Sequence, residues 1–230
     1  FRKFLFTNYP SAMLGIQMDT TNWYIINASI VQCDSMQIRS LEGIQYFDHL
    51  KTLDCSYNLI RKFSALPQSL IILDCHTNQL DSLPGLPPML SSLNSMNNNM
   101  VKLPALPISL TNLNCSYNKL DSLPDLNNMI ELDCQVNQLD SLPLLPSTLI
   151  NLSCNSNLLP QLPMLPNGLI NLNCSNNPLG NLPFMPASLV SLSCNANLLT
   201  ILPVLPAGLN YLSCSDNSLN QLPVLPSTLL

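Results

Sequence analysis

The cysteines are the residues of this chain best suited to chemistry, and 230 residues include nine of them. They recur at a spacing close to 20 residues, and no two form the Cys-x-x-Cys pair typical of zinc sites. Each occupies the same place in a repeating unit, where a free thiol packs as a small apolar side chain. We therefore predict reduced, core-packed thiols in a reducing compartment and no metal site.

Catalytic groups are sparse. Histidine occurs twice, at His49 and His76, and the sequence identifies no serine or cysteine partner for either. The six glycines are scattered and form no G-x-G loop that would hold a phosphate. We expect no catalytic residue and no cofactor in this chain.

The composition argues against two further classes of protein. Eight basic and 13 acidic residues give a net charge of −5, so there is no basic stripe to neutralise nucleic-acid phosphates. Asn, Ser and Pro interrupt every Leu-rich stretch, and no window approaches the roughly 20 apolar residues of a membrane span. We expect neither nucleic-acid binding nor a membrane span.

A repeat sets the positions of these residues. Asparagine recurs at intervals of 20 residues, with a single interval of 19, at Asn58, Asn78, Asn98, Asn118, Asn137, Asn157, Asn177, Asn197 and Asn217. One unit reads Leu110-x-x-Leu113-x-Cys115-x-x-Asn118-x-Leu120, which is the leucine-rich-repeat pattern with Cys in an apolar position. We expect each Asn to bond backbone groups of its own repeat and the next.

The repeat predicts its own local structure. Around Leu113 apolar and polar residues alternate, which is typical of a short strand. The return half, for example Leu162-Pro163-Met164-Leu165-Pro166, contains two prolines that exclude a helix and favour extended chain. We predict a curved leucine-rich-repeat solenoid of about ten 20–22-residue repeats. Its parallel strands form the concave face, and extended, polyproline-like chain forms the convex side.

The repeat pattern also predicts boundaries. Residues 1–24 lie outside it and contain the only Trp, so we expect a capping segment, with the tail of an upstream domain as the alternative. A degenerate first repeat covers 25–46, regular repeats cover 47–228, and a truncated repeat begins at 229. We expect the natural protein to continue beyond this last repeat.

The motif Leu-Pro-x-Leu-Pro-x-x-Leu-x-x-Leu-x-x-x-x-Asn-x-Leu resembles the short repeats of the bacterial YopM, IpaH and SspH effectors over residues 66–230. The resemblance implies a protein-binding module that a bacterium delivers into a host cell. IpaH-type members add a ubiquitin-ligase domain with a Cys-x-Asp motif. Here only Cys214-Ser215-Asp216 has that spacing, and Cys214 occupies a core position, so we do not expect it to be catalytic.

The outward side chains of the first five repeats combine carboxylates with aromatic and apolar residues, as interface hot spots do. We predict a partner-binding surface on the concave face made of Asp34, Asp54, Tyr57, Ile72, Asp74, His76, Met96, Tyr117, Glu131 and Asp133. A basic patch on a protein partner would complement it. The alternative is that these acidic residues only keep the strands soluble.

The sequence thus predicts the target-recognition module of a secreted bacterial effector that binds a host protein in the reducing host cytoplasm, with a monomer favoured. Two alternatives stay open. The connector Ser40-Leu41-Glu42-Gly43-Ile44 resembles that of internalin-like surface proteins and favours an adhesin at the cell surface. The second alternative is that the chain is the substrate-recognition half of a ubiquitin ligase whose catalytic domain lies outside it.

Overall fold

The computed structural model describes residues 1–229, and Leu230, in the predicted truncated repeat, lies outside them. The described chain divides into two compact units, 1–110 and 111–229. Both are built from three-residue parallel strands joined by extended return segments. Within the described residues no helix is long and apolar enough to cross a membrane.

The first unit begins with non-repeat elements and continues with four strands. The non-repeat elements are α1 (Arg2–Asn8), a 3-10 turn at Pro10–Ala12, the antiparallel pair β1 (Met13–Leu14) and β2 (Gln17–Met18), and α2 (Trp23–Ile26). The strands are β3 (Ile30–Gln32), β4 (Thr52–Asp54), β5 (Ile72–Asp74) and β6 (Ser92–Asn94), with a second 3-10 turn at Ile44–Tyr46. Each strand pairs with the next in parallel, so that Leu53 lies between Val31 and Leu73.

The second unit contains six strands in the same arrangement. They are β7 (Asn112–Asn114), β8 (Glu131–Asp133), β9 (Asn151–Ser153), β10 (Asn171–Asn173), β11 (Ser191–Ser193) and β12 (Tyr211–Ser213). Every pair is parallel and in register from β7 to β12. The predicted leucine-rich-repeat solenoid with parallel strands is confirmed.

The core of each repeat is built from its Leu and Cys positions. In one repeat of the first unit, Leu70, Leu73, Cys75 and Leu80 are fully buried. Eight of the nine free cysteines are buried in this way, and Cys214 is half-buried. The outward side chains between these positions remain at the surface of the strands, because successive residues of a strand point to opposite faces.

The repeat asparagines connect each turn to the preceding one. Asn58 donates from Nδ2 to the carbonyl oxygens of Cys33 and Cys55, at 2.8 and 3.0 Å. Its Oδ1 accepts hydrogen bonds from the backbone N–H groups of Met36 and Ile38. We expected each Asn to bond its own repeat and the next one. The first part agrees with these bonds, but the second is wrong, because the other repeat contacted is the preceding one. The side chain turns back because the groups left unpaired by the bend belong to the repeat before it.

Aromatic side chains of residues 1–24 contact the first repeats. The rings of Phe1 and Tyr9 lie 6.3 and 5.8 Å from that of Phe47, which is fully buried. Trp23 and Tyr24 contact one another edge to face but remain exposed. The segment thus packs against Phe47 with only part of its aromatic surface, and its capping role stays a prediction.

Candidate protein-binding surface

We call the outward side chains of the strands, together with the second and third residues after each strand, the strand face. Parallel pairing places equivalent residues of successive repeats side by side on it. In the first unit Asp54 lies between Gln32 and Asp74, and Asp74 lies next to Asn94. A column of polar side chains therefore crosses four strands.

Asp74 and His76 form a directly bonded pair on this face. Nδ1 of His76 lies 2.5 Å from Oδ1 of Asp74, which also accepts a hydrogen bond from the backbone N–H of His76. The other carboxylate oxygen accepts from Nδ2 of Asn94 at 3.1 Å. The Tyr57 ring meets the imidazole edge to face, with centroids 4.7 Å apart. The imidazole is therefore held from both neighbouring repeats.

Large apolar surface surrounds this group. Tyr57 is 58% exposed and Ile72 is 42% exposed, while Met96 is half-buried. Such partly exposed aromatic and aliphatic side chains beside fixed polar groups are what interface hot spots contain. The structure thus brings together Tyr57, Asp74 and His76.

The other two predicted acidic site residues of the first unit have no described hydrogen bond to the Asp74–His76 pair. Asp34 is exposed in the segment after β3. Asp54 uses Oδ1 to accept hydrogen bonds from the backbone N–H and the hydroxyl of Ser56. Asp34 is thus open to solvent, whereas Asp54 is half-buried in the outward column of β4.

The two predicted acidic site residues of the second unit are hydrogen-bonded within the protein. Glu131 accepts from Asn112 Nδ2 on one oxygen at 2.8 Å and from Asn151 Nδ2 on the other at 3.3 Å. Asp133 accepts from the backbone N–H of Gln135 on one oxygen and from its side-chain amide on the other. Both carboxylates are fixed by amide donors before any partner arrives.

Tyr117 of the second unit is exposed at the end of its strand. Its backbone φ is 54°, and Tyr57 has the equivalent value of 51°. This left-handed conformation aims the residue before each repeat Asn away from the core. The sequence indicated the exposure of both tyrosines but gave no sign of the Asn94, Asn112 and Asn151 contacts, since these partners lie about 20 residues from the groups they bond.

The buried thiols have low reactivity. Burial raises the pKa of Cys154 to about 12, and burial likewise raises that of Cys33 to about 12. A thiol with such a pKa is protonated at neutral pH and is a poor nucleophile and metal ligand. Among residues 1–229 no group of three or more His, Cys, Asp or Glu side chains is arranged to hold a metal ion.

Comparison with known proteins gives matches among solved structures. No protein-family model matches the chain, and no curated protein matches it. YopM from Yersinia enterocolitica WA-314 is 38% identical with a TM-score of 0.86, over 88% of this chain and 45% of that one. The effector YopM from Yersinia pestis is 29% identical with a TM-score of 0.77, over 88% and 70%. The chain thus spans less than half the length of the first of these.

A third structure is more distant. The functional domain of InlJ from Listeria monocytogenes, which includes a cysteine ladder, is 22% identical with a TM-score of 0.55, over 89% of this chain and 58% of that one. At that identity it shows the fold alone. The resemblance to bacterial effectors predicted from the repeats is confirmed by the two YopM structures. The chain is a leucine-rich-repeat solenoid with a repeat module similar to that of bacterial effectors of the YopM type.

Proposed function

We propose that this chain is the target-recognition module of a secreted bacterial effector and binds a host protein through its strand face. Leucine-rich-repeat relatives of this fold are protein-binding modules, which supports the general class. The observation that carries the specific proposal is the exposed Tyr57 and Ile72 side chains beside the fixed Asp74–His76 pair.

The first unit is the better half of the predicted surface. Its strand face offers apolar anchors, the exposed carboxylate of Asp34 and the half-buried carboxylate of Asp54. The carboxylates of Glu131 and Asp133 already accept amide hydrogen bonds on both oxygens. A basic partner patch therefore gains more by approaching the first unit, because fewer internal hydrogen bonds compete with it.

A stacked scaffold suits recognition physically. The strand-face side chains stand on backbone that is hydrogen-bonded to both neighbouring repeats, so docking orders few groups and loses little conformational entropy. A host-cell location agrees with nine free thiols, since the cytosol keeps thiols reduced.

The test of the apolar anchors is affinity capture from host-cell cytosol with three baits. These are the natural chain, the double variant Tyr57→Ser/Ile72→Ser, and the control Tyr211→Ser. Tyr211 is an exposed aromatic residue at the strand position equivalent to Ile72, in a repeat of the second unit. A host protein retained by the natural chain and the control, but lost by the double variant, supports the proposal.

The acidic contribution is tested with the captured protein in a binding titration. Asp54→Lys should weaken affinity about tenfold or more, because it replaces an attractive charge with a repulsive one. Ser193→Lys adds a cation in the same column of the second unit and should change affinity little. Equal affinity of both variants would contradict the placement of the site. Capture only from cell-surface extracts would favour the adhesin instead.

A further inference from the structure

Five exposed apolar side chains occupy one position of five successive repeats in the second unit. The position is the residue between the two Leu-Pro pairs of the return segment. We call this set the return column; it consists of Leu144, Met164, Phe184, Val204 and Val224, which are 80–93% exposed. The residue that follows is buried at Leu165, Met185 and Leu205, half-buried at Leu145 and exposed at Leu225, in the last described repeat. The return column is therefore not part of the core.

The fold does not require large apolar residues at this position. The equivalent residues of the preceding repeats are Ala65, Gly85, Ala105 and Asp125. These repeats form the same parallel strands and the same buried leucine positions. A small or even a charged side chain is thus compatible with the structure, so the apolar series from Leu144 onward needs another explanation.

The return column is continuous and held in place. Strands β8 to β12 pair in register, so equivalent residues of their repeats follow one another in order along the unit. Hydroxyl groups tie successive return segments together, since Ser188 Oγ donates to the carbonyl oxygens of Asn167 and Leu169, and Thr228 Oγ1 donates to those of Ala207 and Leu209. The five side chains are therefore presented by a rigid surface.

The surroundings of the return column are almost without charge. From Ser141 to Leu229 the only charged side chain is Asp216. Asp216 follows β12 on the strand side of its repeat, away from the return segment in sequence. A surface of this kind offers neither attraction to a charged partner nor repulsion toward an identical surface.

We propose that the return column is a self-association surface that binds a second copy of this chain in an antiparallel, two-fold arrangement centred on Phe184. The order of side-chain sizes along the return column is the evidence for the antiparallel arrangement. Around the axis Phe184 meets Phe184 of the second copy, Met164 meets its Val204, and Leu144 meets its Val224. Away from the axis, Met164 and Leu144 are thus each opposite a shorter Val, whereas a parallel arrangement would place Met on Met and Val on Val.

The exposed apolar area favours such a dimer. Phe184 alone can bury about 150 Å² or more, and the four aliphatic side chains of the column extend that surface toward the roughly 800 Å² that each partner buries in a standard interface. A row of exposed apolar side chains rimmed by polar residues is typical of a protein-interaction surface. A two-fold contact also closes on itself and leaves no apolar edge free to extend a fibre. This inference replaces the monomer favoured by the sequence and is independent of the proposed partner.

The first experiment is sedimentation equilibrium of the natural chain and two Asp variants. The natural chain should give twice its 25.4 kDa mass at micromolar concentration. Phe184→Asp should be a monomer, because dimerisation would bury two carboxylates without partners. Asp125 occupies the same position in a native repeat, so this variant is expected to fold. The control Ala105→Asp introduces the same residue at the equivalent position of a repeat in the first unit, and this variant should remain dimeric.

A second experiment tests the antiparallel register. Met164→Asp and Val204→Lys should each be monomeric alone, and their mixture should form a dimer because the new charges face one another. A monomeric natural chain at 100 µM, on the order of the highest concentrations used for such measurements, would overturn the proposal. So would a dimer that survives Phe184→Asp, or failure of the two charged variants to pair. A monomer that binds phosphatidylcholine vesicles through Phe184 would assign the column to a membrane instead.

Discussion

Nδ2 of Asn157 donates a hydrogen bond to the carbonyl oxygen of Cys134, 23 residues earlier in the chain, at 3.0 Å. The same nitrogen donates to the carbonyl oxygen of Cys154, and Oδ1 accepts from the backbone N–H of Leu139. Asn157 is buried, so none of these backbone groups has ready access to water once the side chain is removed. The cohesion of neighbouring repeats therefore depends on this single side chain as well as on apolar contacts.

Replacing Asn157 with Ala should lower the free energy of unfolding by about 3 kcal/mol, since it leaves two or more buried backbone groups without partners. Urea denaturation followed by circular dichroism measures the change. Asn181→Ala is the matched control, because Asn181 is exposed in the return segment of the next repeat, and it should cost less than about 0.5 kcal/mol. Equal losses of stability in the two variants would show that the hydrogen bonds of the repeat asparagines contribute nothing specific.

Val136 occupies the left-handed region with a φ of 53°, at the position that precedes a repeat Asn. This conformation is unfavourable for a β-branched residue and better tolerated by Asn, which occupies the equivalent position at Asn176 with a φ of 54°. Val136→Asn should therefore stabilise the protein by about 1 kcal/mol. The reverse change, Asn176→Val, should destabilise it by a similar amount. Thermal unfolding of both variants checks the pair, and shifts of the same sign would contradict the explanation.

The exposure of the thiols predicts their reactivity. Cys214 is the half-buried member of the series, and the other eight cysteines are buried. An aromatic disulfide reagent at pH 8 should therefore modify Cys214 first and reach all nine thiols only after denaturation. Cys214→Ser should abolish the fast phase of the reaction and leave the slow phase unchanged. A fast phase that persists in this variant would show that the core opens more readily than its burial implies.

The same thiols predict how stability depends on pH. Burial raises the pKa of Cys154 and of Cys194 to about 12, above the roughly 8.5 of an unfolded thiol. As pH rises above about 8.5, the unfolded chain loses thiol protons before the folded chain does, so stability decreases toward pH 12. Below about pH 8.5 the contribution of the protonated thiols to stability is fully present. Urea midpoints at pH 7 and pH 10 measure the loss, which should be smaller in Cys154→Ser.

The periodicity of the sequence was sufficient to predict the strands and the core positions. The positions of Leu113, Cys115 and Asn118 repeat with a fixed offset, and a fixed offset places them at the same point of every turn. The partner-binding residues themselves stay a prediction that only binding experiments test.

Other features could not be predicted, because they depend on contacts between residues about 20 positions apart. The hydrogen bonds that fix Glu131 between Asn112 and Asn151 require knowledge of which amide points toward which neighbour. The exposure of Phe184 was missed for another reason, since the residue between two Leu-Pro pairs has no periodic partner that would indicate its direction.

One repeat of the second unit is a residue shorter than the others, as the interval from Asn118 to Asn137 is 19 residues. Its strands nevertheless stay in register, with Leu113 opposite Leu132, and the return segment after Leu126 is where the chain is shortened. There Asn127, with a φ of 45°, takes the place of the usual proline. Insertions and deletions can therefore accumulate in the return segments during evolution while the recognition columns keep their alignment. Whole repeats can be duplicated or lost in the same way, which lets a lineage lengthen or shorten its binding surface without redesigning the fold.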